Sequence, residues 1–207
     1  MITNVFWDFD GTLFDSYGQI SAAIFQAVSD LGSFVEMEKA NDLAKVSVLH
    51  AMRELSQSLE LPFEKLVGRY NARFTETENV PVPLFPGAKE VCSAAINAGG
   101  WNHLVTHRGK SSYHHLQIAG LLDCFQGIAT REAGYKPKPD PGAILGLIAK
   151  YAIPIDSAIM VGDRAIDILA GKNAGIKSFF FSPEGFAPPP EADFSGKSLM
   201  DLLALIG

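Results

Sequence analysis

The amino-acid sequence predicts an α/β fold, with a Rossmann-like doubly wound parallel sheet core and an inserted small helical cap domain. Beyond residue 84, short apolar runs alternate with helical patterns, which is the order of elements in a parallel sheet. Residues 17–83 instead show helical spacing without a convincing strand, although a parallel sheet needs its second strand after about one crossover helix. We therefore expect a core at residues 1–16 and 84–207 and a helical cap at 17–83.

The first predicted strand is Val5 to Trp7, a bulky, β-prone run that suits burial on both faces of a sheet. Asp8 and Asp10 follow it, and alternation along an extended backbone puts both carboxylates on one side, close enough to share a divalent cation. Gly11 then permits a tight turn. Because open α/β sheets bind ligands at the carboxyl ends of their strands, we expect a functional site here.

Helical signals begin directly after this turn. Ser16 and Gln19 predict a capping box, and apolar residues recur at helical spacing as far as Gly32. Pro62 suits the first turn of a later helix. The proline-rich run at 80–87 resists both helix and central strand, so we interpret it as the linker that returns to the core.

Four further strands are expected after the linker, which makes five in all. Helices should lie between them, one of them beginning with Asp140 as N-cap and Pro141 as its first residue. The triple-phenylalanine run of the last strand is interpreted as buried, and residues 198–206 predict a terminal amphipathic helix. The expected strands are His103–Thr106, Gln126–Thr130, Ala158–Val161 and Ser178–Phe181.

Composition narrows the class of partner. With a net charge of −6 and a pI near 5.3, the chain has no overall positive charge that would attract nucleic acid. Any phosphate group would have to be bound by a few local cations or by a metal. Neither a basic leader nor a membrane-length apolar run is present, so we expect a cytoplasmic protein without a membrane partner. Cys92 and Cys124 lack CxxC spacing and are expected to be buried reduced thiols. The sequence leaves monomer and homodimer open.

Polar side chains follow four of the predicted strands, and a parallel sheet would gather them along one edge. The third group is ambiguous because the run KPKPD at 136–140 contains both Lys136 and Lys138. The strand-end residues, in chain order, are Asp8 and Asp10, then Thr106, then Lys136, then Asp163 and Asp167.

This order resembles the four motifs of the haloacid-dehalogenase (HAD) superfamily, in its phosphoglycolate-phosphatase-like branch with a C1 helical cap. The runs DFDGTLFDS at 8–16, KPKPDP at 136–141 and VGDRAID at 161–167 carry the resemblance, which covers essentially the whole chain. Alignment to the KPxPD form favours Lys136 for the third motif and leaves Lys138 as a solvated loop charge. Relatives of this kind often hold that lysyl-prolyl bond cis, so we predict a cis Lys136–Pro137 bond.

The resemblance implies a magnesium-dependent phosphatase that acts on a small phosphorylated metabolite, phosphoglycolate-like or a sugar phosphate. Asp8 would attack phosphorus to give an aspartyl phosphate, and Asp10 would serve as acid and then base. Thr106 and Lys136 would contact the phosphoryl group. The implied Mg²⁺ ligands are an Asp8 oxygen, the Asp10 backbone carbonyl and Asp163, with Asp167 orienting them.

Several alternatives stay open. A phosphomutase of the same superfamily would use the same aspartyl phosphate, whereas a phospho-receiver module is disfavoured because its phosphoacceptor follows a later strand and it has no helical insert. His107 stands where many relatives carry Asn, so His107 and Arg108 are either substrate contacts or loop-surface residues. The remaining histidines of this region are expected in the core or on helix faces, namely His103, His114 and His115.

Overall fold

The computed structural model describes residues 1–207 and contains a six-stranded sheet in the order β3-β2-β1-β4-β5-β6. Every neighbouring pair of strands is parallel. The chain leaves β1 toward β2 on one side and returns to β4 on the other, which makes the end of β1 a topological switch point. The Rossmann-like fold predicted from the sequence is confirmed. The strands are β1 Asn4–Trp7, β2 Asn102–Val105, β3 Phe125–Ala129, β4 Ala158–Gly162, β5 Lys177–Phe181 and β6 Phe194–Gly196.

The sixth strand was not expected from the sequence. It is three residues long, largely exposed and contains a glycine, so it carries neither an apolar run nor a period of two. It pairs with the last predicted strand, whose Phe179, Phe180 and Phe181 are buried as expected. Only the tertiary pairing at the sheet edge reveals it.

Eight α-helices accompany the sheet. Residues 198–206 do not form the expected α-helix, because Leu199–Ala204 is a 3₁₀-helix. Pro141 is the N-cap residue of α7 rather than its first residue, and Asp140 Oδ1 accepts a hydrogen bond from Gly142 N at 2.9 Å. In chain order the helices are α1 Tyr17–Ser29, α2 Met37–Val46, α3 Val48–Ser58, α4 Phe63–Thr77, α5 Ala88–Asn97, α6 Ser111–Ile118, α7 Gly142–Tyr151 and α8 Ala165–Asn173.

The chain divides into two compact units, Met1–Phe14 with Pro83–Gly207 and Asp15–Val82. The second unit consists of α1 to α4 around its own apolar cluster, in which Leu55 and Leu66 are fully buried. The expected capping box at its start is absent, because Gln19 Nε2 donates instead to the carbonyl oxygens of Thr77 and Val80. Neither unit contains a helix that is long and apolar enough to cross a membrane.

In the sheet unit, β1 and β4 are buried along their whole length, as the apolar runs require. Trp7 Nε1 donates to Asn102 Oδ1 at 2.9 Å, which satisfies the indole inside the core. Cys92 is buried and Cys124 half-buried, and both are free thiols. His103 lies on β2 in the core.

Candidate active site

The carboxyl edge of the sheet brings side chains from four strand ends together. Asp8 follows β1 directly, and its main-chain N–H donates to Val161 O of β4 at 2.9 Å. Gly11 adopts the positive φ of 78° that the turn after this strand requires. A Cβ at Gly162 would overlap the side chain of Asp167, so glycine at the end of β4 lets that carboxylate approach the sheet.

A buried lysine lies at the centre of the site, and it is Lys138. Its Nζ is 2.7 Å from Asp8 Oδ1 and 2.6 Å from Asp167 Oδ1, and it donates to Val105 O at 3.0 Å. Only 2 % of the Lys138 side chain is exposed. The ammonium therefore has three oxygen acceptors, as many as it has protons.

The structure thus corrects the sequence assignment of the lysine. Lys136 is exposed, and the cis peptide bond is Lys138–Pro139, so the expectations of Lys136 in the site and of a cis Lys136–Pro137 bond were wrong. Both lysines precede a proline in the same short run, so local sequence does not separate them. Burial between two carboxylates does, because it decides which ammonium is paired.

The charges of the site favour an ionised Asp8. Burial alone would raise the pKa of Asp8, but the neighbouring Lys138 and Arg164 hold that pKa below its ordinary value. For Lys138, burial opposes the charged form, yet Asp167 and Asp8 keep the pKa of its ammonium above the usual value. Burial and the nearby charge of Asp8 raise the pKa of Asp167. A carboxylate held ionised at a strand end is suited to act as a nucleophile.

An acidic cluster provides a candidate metal site. Carboxylate oxygens of Asp8, Asp163 and Asp167 lie within 4.8 Å of one another. Thr12 Oγ1 donates to Asp163 Oδ1 at 2.9 Å, which orients that carboxylate. Hard oxygen donors of this kind fit Mg²⁺. Asp167 Oδ1 contacts Lys138 and Asp167 Oδ2 accepts from Arg164 N at 3.1 Å, an arrangement that favours an orienting role for Asp167.

Asp10 is not a member of that carboxylate cluster. Its Oδ1 lies 3.4 Å from Arg108 Nε, and the Arg108 side chain is fully buried, with its guanidinium carbon 4.8 Å from the centre of the Phe9 ring. Thr106 Oγ1 accepts from Arg108 N at 3.0 Å. Arg108 therefore lies beside the predicted acid and base, which the sequence did not indicate.

His107 and Arg164 also lie at the carboxyl edge of the sheet, in contact with Lys138 and Asp8 respectively. His107 Nε2 accepts from the main-chain N–H of Lys138 at 2.9 Å, and burial, followed by the positive charge of Lys138, lowers the pKa of His107 to about 4. Arg164 Nη2 is 3.3 Å from Asp8 Oδ2. Sequence reasoning missed Arg164 and Lys138, although both lie inside the motif runs. Arg164 could have been found from the sequence, because it is a cationic residue between Asp163 and Asp167 in the run at 161–167.

Comparison with known proteins agrees with this fold. Residues 5–181 match the family model described as haloacid dehalogenase-like hydrolase. A phosphoglycolate phosphatase from Vibrio vulnificus (strain YJ016) is 32% identical over 97% of this chain and 94% of its own length. The crystal structure of a HAD-superfamily hydrolase (subfamily IA, variant 1) from Geobacter sulfurreducens has a TM-score of 0.77 at 22% identity and covers 100% of this chain and 97% of its own. That of CbbY from Rhodobacter sphaeroides, in complex with phosphate, has a TM-score of 0.76 at 20% identity and covers 98% of this chain and 96% of its own.

The fold and site define an α/β protein with a doubly wound parallel sheet and a cluster of carboxylates at the carboxyl edge of that sheet. The chain belongs to the haloacid dehalogenase-like hydrolase family, which confirms the resemblance seen in the sequence. Family membership and the named relatives indicate that it is a phosphatase.

Proposed function

We propose that this chain is a magnesium-dependent phosphatase that hydrolyses a small phosphate monoester through an aspartyl phosphate on Asp8. The observation that carries the proposal is the position of the Asp8 carboxylate. It is buried at the end of β1, in contact with the Lys138 ammonium and within 4.8 Å of the carboxylate oxygens of Asp163 and Asp167, so a nucleophile, a cation and metal ligands lie together. Phosphoryl transfer requires a positioned nucleophile and cations that neutralise the charge on the phosphoryl oxygens.

Hydrolysis proceeds in two steps on this geometry. A carboxylate oxygen of Asp8 attacks phosphorus while the bond to the ester oxygen breaks, and Asp10 gives its proton to the departing alkoxide. Asp10 then takes a proton from water, which attacks the phosphorus of the aspartyl phosphate and releases inorganic phosphate and the restored Asp8 carboxylate. Arg108 lies beside Asp10 and Lys138 beside Asp8, so each carboxylate has its own cationic neighbour.

The side chains around Asp8 would stabilise the negative charge on the phosphoryl oxygens. Lys138 places an ammonium against Asp8, and Thr106 is buried at the end of β2, where its hydroxyl can donate to a phosphoryl oxygen. An Asp8 oxygen, the Asp10 carbonyl and Asp163 would hold the Mg²⁺. When bound, that ion supplies neutralisation of the phosphoryl charge.

For the substrate we propose phosphoglycolate or a sugar phosphate of similar size. Support comes from the relatives named phosphoglycolate phosphatase, the first of which matches this chain over almost its whole length. We also propose that the helical unit, Asp15–Val82, acts as a cap that selects the leaving group. Phosphate release should then be faster from small alkyl phosphates than from bulky ones, and the reverse preference would contradict the cap.

Leaving-group chemistry tests the two carboxylates separately. Asp8→Asn should abolish turnover with every ester, because a carboxamide is a poor nucleophile. Asp10→Asn should slow alkyl esters by about 10²–10⁴-fold, the usual value of general acid–base catalysis. An aryl phosphate departs without a proton, so it should give a burst of phenol and a phosphorylated Asp8 peptide in that variant.

Asp156→Asn is the matched control, since Asp156 is exposed and lies at the amino end of β4, away from the site. It should behave as the wild type does. Equal losses for aryl and alkyl esters in Asp10→Asn, without a trapped phosphoprotein in mass spectrometry, would rule out this division of roles. Transfer of the phosphoryl group to a second sugar hydroxyl instead of water would indicate a phosphomutase.

A further inference from the structure

We propose that His107 is a positioning residue for Lys138. Its imidazole holds the main-chain amide of Lys138 and thereby fixes the loop that carries this lysine into the site. The inference rests on the proposed function for its effect on turnover, but the contact itself is a property of the folded chain. It replaces the substrate contact that the sequence left open for His107.

The segment around Lys138 is poor in main-chain donors. Pro137 and Pro139 lack an N–H, so Lys138 provides the only main-chain donor in this three-residue segment. His107 Nε2 accepts that donor at 2.9 Å. Both prolines are exposed whereas Lys138 is buried. This hydrogen bond joins the one amide of the segment to the loop after β2, while the carbonyl oxygen of Pro139 accepts from Asn173 Nδ2 at 3.0 Å.

The position of the ammonium depends on the hydrogen bond from Lys138 N to His107. Lys138 Nζ reaches Asp8 Oδ1 at 2.7 Å, Asp167 Oδ1 at 2.6 Å and Val105 O at 3.0 Å, so the ammonium contacts the residue after β1, a residue of α8 and a residue of β2. A shift of the loop by one ångström would change all three of these distances. Misplacement on that scale can reduce a rate by about 10²-fold.

The hydrogen bond requires a particular tautomer. Nε2 accepts from Lys138 N, so the imidazole proton must reside on Nδ1. A lone pair that is engaged with the loop is not available to bind a substrate hydroxyl. Through Nε2, His107 therefore acts on Lys138.

Nuclear magnetic resonance tests the contact without reference to activity. Long-range ¹H–¹⁵N spectra of the wild-type protein should show His107 protonated at Nδ1. In the wild type the Lys138 amide should be protected from hydrogen exchange. In His107→Leu its protection factor should fall at least about tenfold. In His107→Gln the protection should return, because Gln Oε1 can replace Nε2 as the acceptor. A proton on Nε2, or unchanged exchange in the leucine variant, would overturn the inference.

Kinetics test the consequence. With a phosphate ester that the wild type hydrolyses, His107→Leu should lower kcat about 10- to 100-fold with little change in KM, and His107→Gln should restore most of it. His114→Leu is the control, since His114 is exposed on α6. A rise in KM at constant kcat would identify His107 as a substrate contact and overturn the positioning role. Should no phosphate ester be hydrolysed, the proposed function fails, while the exchange measurement still decides whether His107 holds Lys138.

Discussion

His103 should make the sheet unit sensitive to acid. Its side chain is fully buried on β2, stacked on Phe6 with ring centroids 4.8 Å apart, and neither ring nitrogen has a hydrogen-bond partner. Burial lowers the pKa of His103 from its ordinary value of 6.5 to about 4. The folded state therefore binds this proton less readily than the unfolded chain does.

The sign follows from proton linkage. Below pH 6.5 the unfolded chain takes up the proton and the folded chain does not, so the free energy of unfolding falls as the pH decreases toward 4. At pH 7.5 almost none of this loss is present. With the two pKa values above, the loss at pH 5 is about 2 kcal/mol.

His103→Phe keeps a planar ring and removes the titration. Urea unfolding followed by tryptophan fluorescence suits the measurement, because Trp7 and Trp101 both lie in the unit that contains β2. Between pH 7.5 and 5, the variant should lose about 2 kcal/mol less stability than the wild type. At pH 7.5 it should also be more stable, by about 1–3 kcal/mol, because two unsatisfied nitrogens leave the core.

The control is His114→Phe, whose exposed ring should leave the pH dependence of stability unchanged. His107, whose pKa is also lowered to about 4, contributes equally to the wild type and to both variants, so the difference isolates His103. Identical pH dependence in wild type and His103→Phe would refute the reasoning, as would a measured pKa for His103 near 6.5 in the folded protein.

Three further predictions concern the site and the helical unit. Lys138→Met should abolish turnover and cost about 3–5 kcal/mol of stability, since it removes the ammonium from two buried carboxylates, whereas Lys136→Met should stay within about 0.5 kcal/mol. Similar effects of the two changes on turnover and urea unfolding would argue against Lys138. Asp163→Ala should weaken Mg²⁺ binding in calorimetry, and full activity of the wild type in chelator would remove the metal from the mechanism. Leu55→Ala should cost the helical unit about 2–5 kcal/mol, seen as faster amide exchange in α1 to α4, and unchanged exchange there would contradict the packing.

The sequence determined the parts of this protein that depend on short-range pattern. The apolar run of β1 followed by Asp8 and Asp10 predicted both a buried parallel strand and the place of the site, because the chain direction fixes which end of a strand carries the following residues. Thr106 and Asp163 were placed at the carboxyl ends of their strands for the same reason, and each directly follows its strand in the structure. The long helical stretch after residue 16 was recognised because no period of two interrupts it.

Tertiary structure alone decided which lysine enters the site and what surrounds it. Lys136 and Lys138 share the same local context, and only the path of the loop past Asp8 and Asp167 buries one ammonium and leaves the other in solvent. The contacts of His107 with Lys138 and of Arg108 with Asp10 likewise join separate strand ends. A sequence pattern reports spacing along the chain, whereas the pairing of a buried charge depends on distances that only the folded sheet sets.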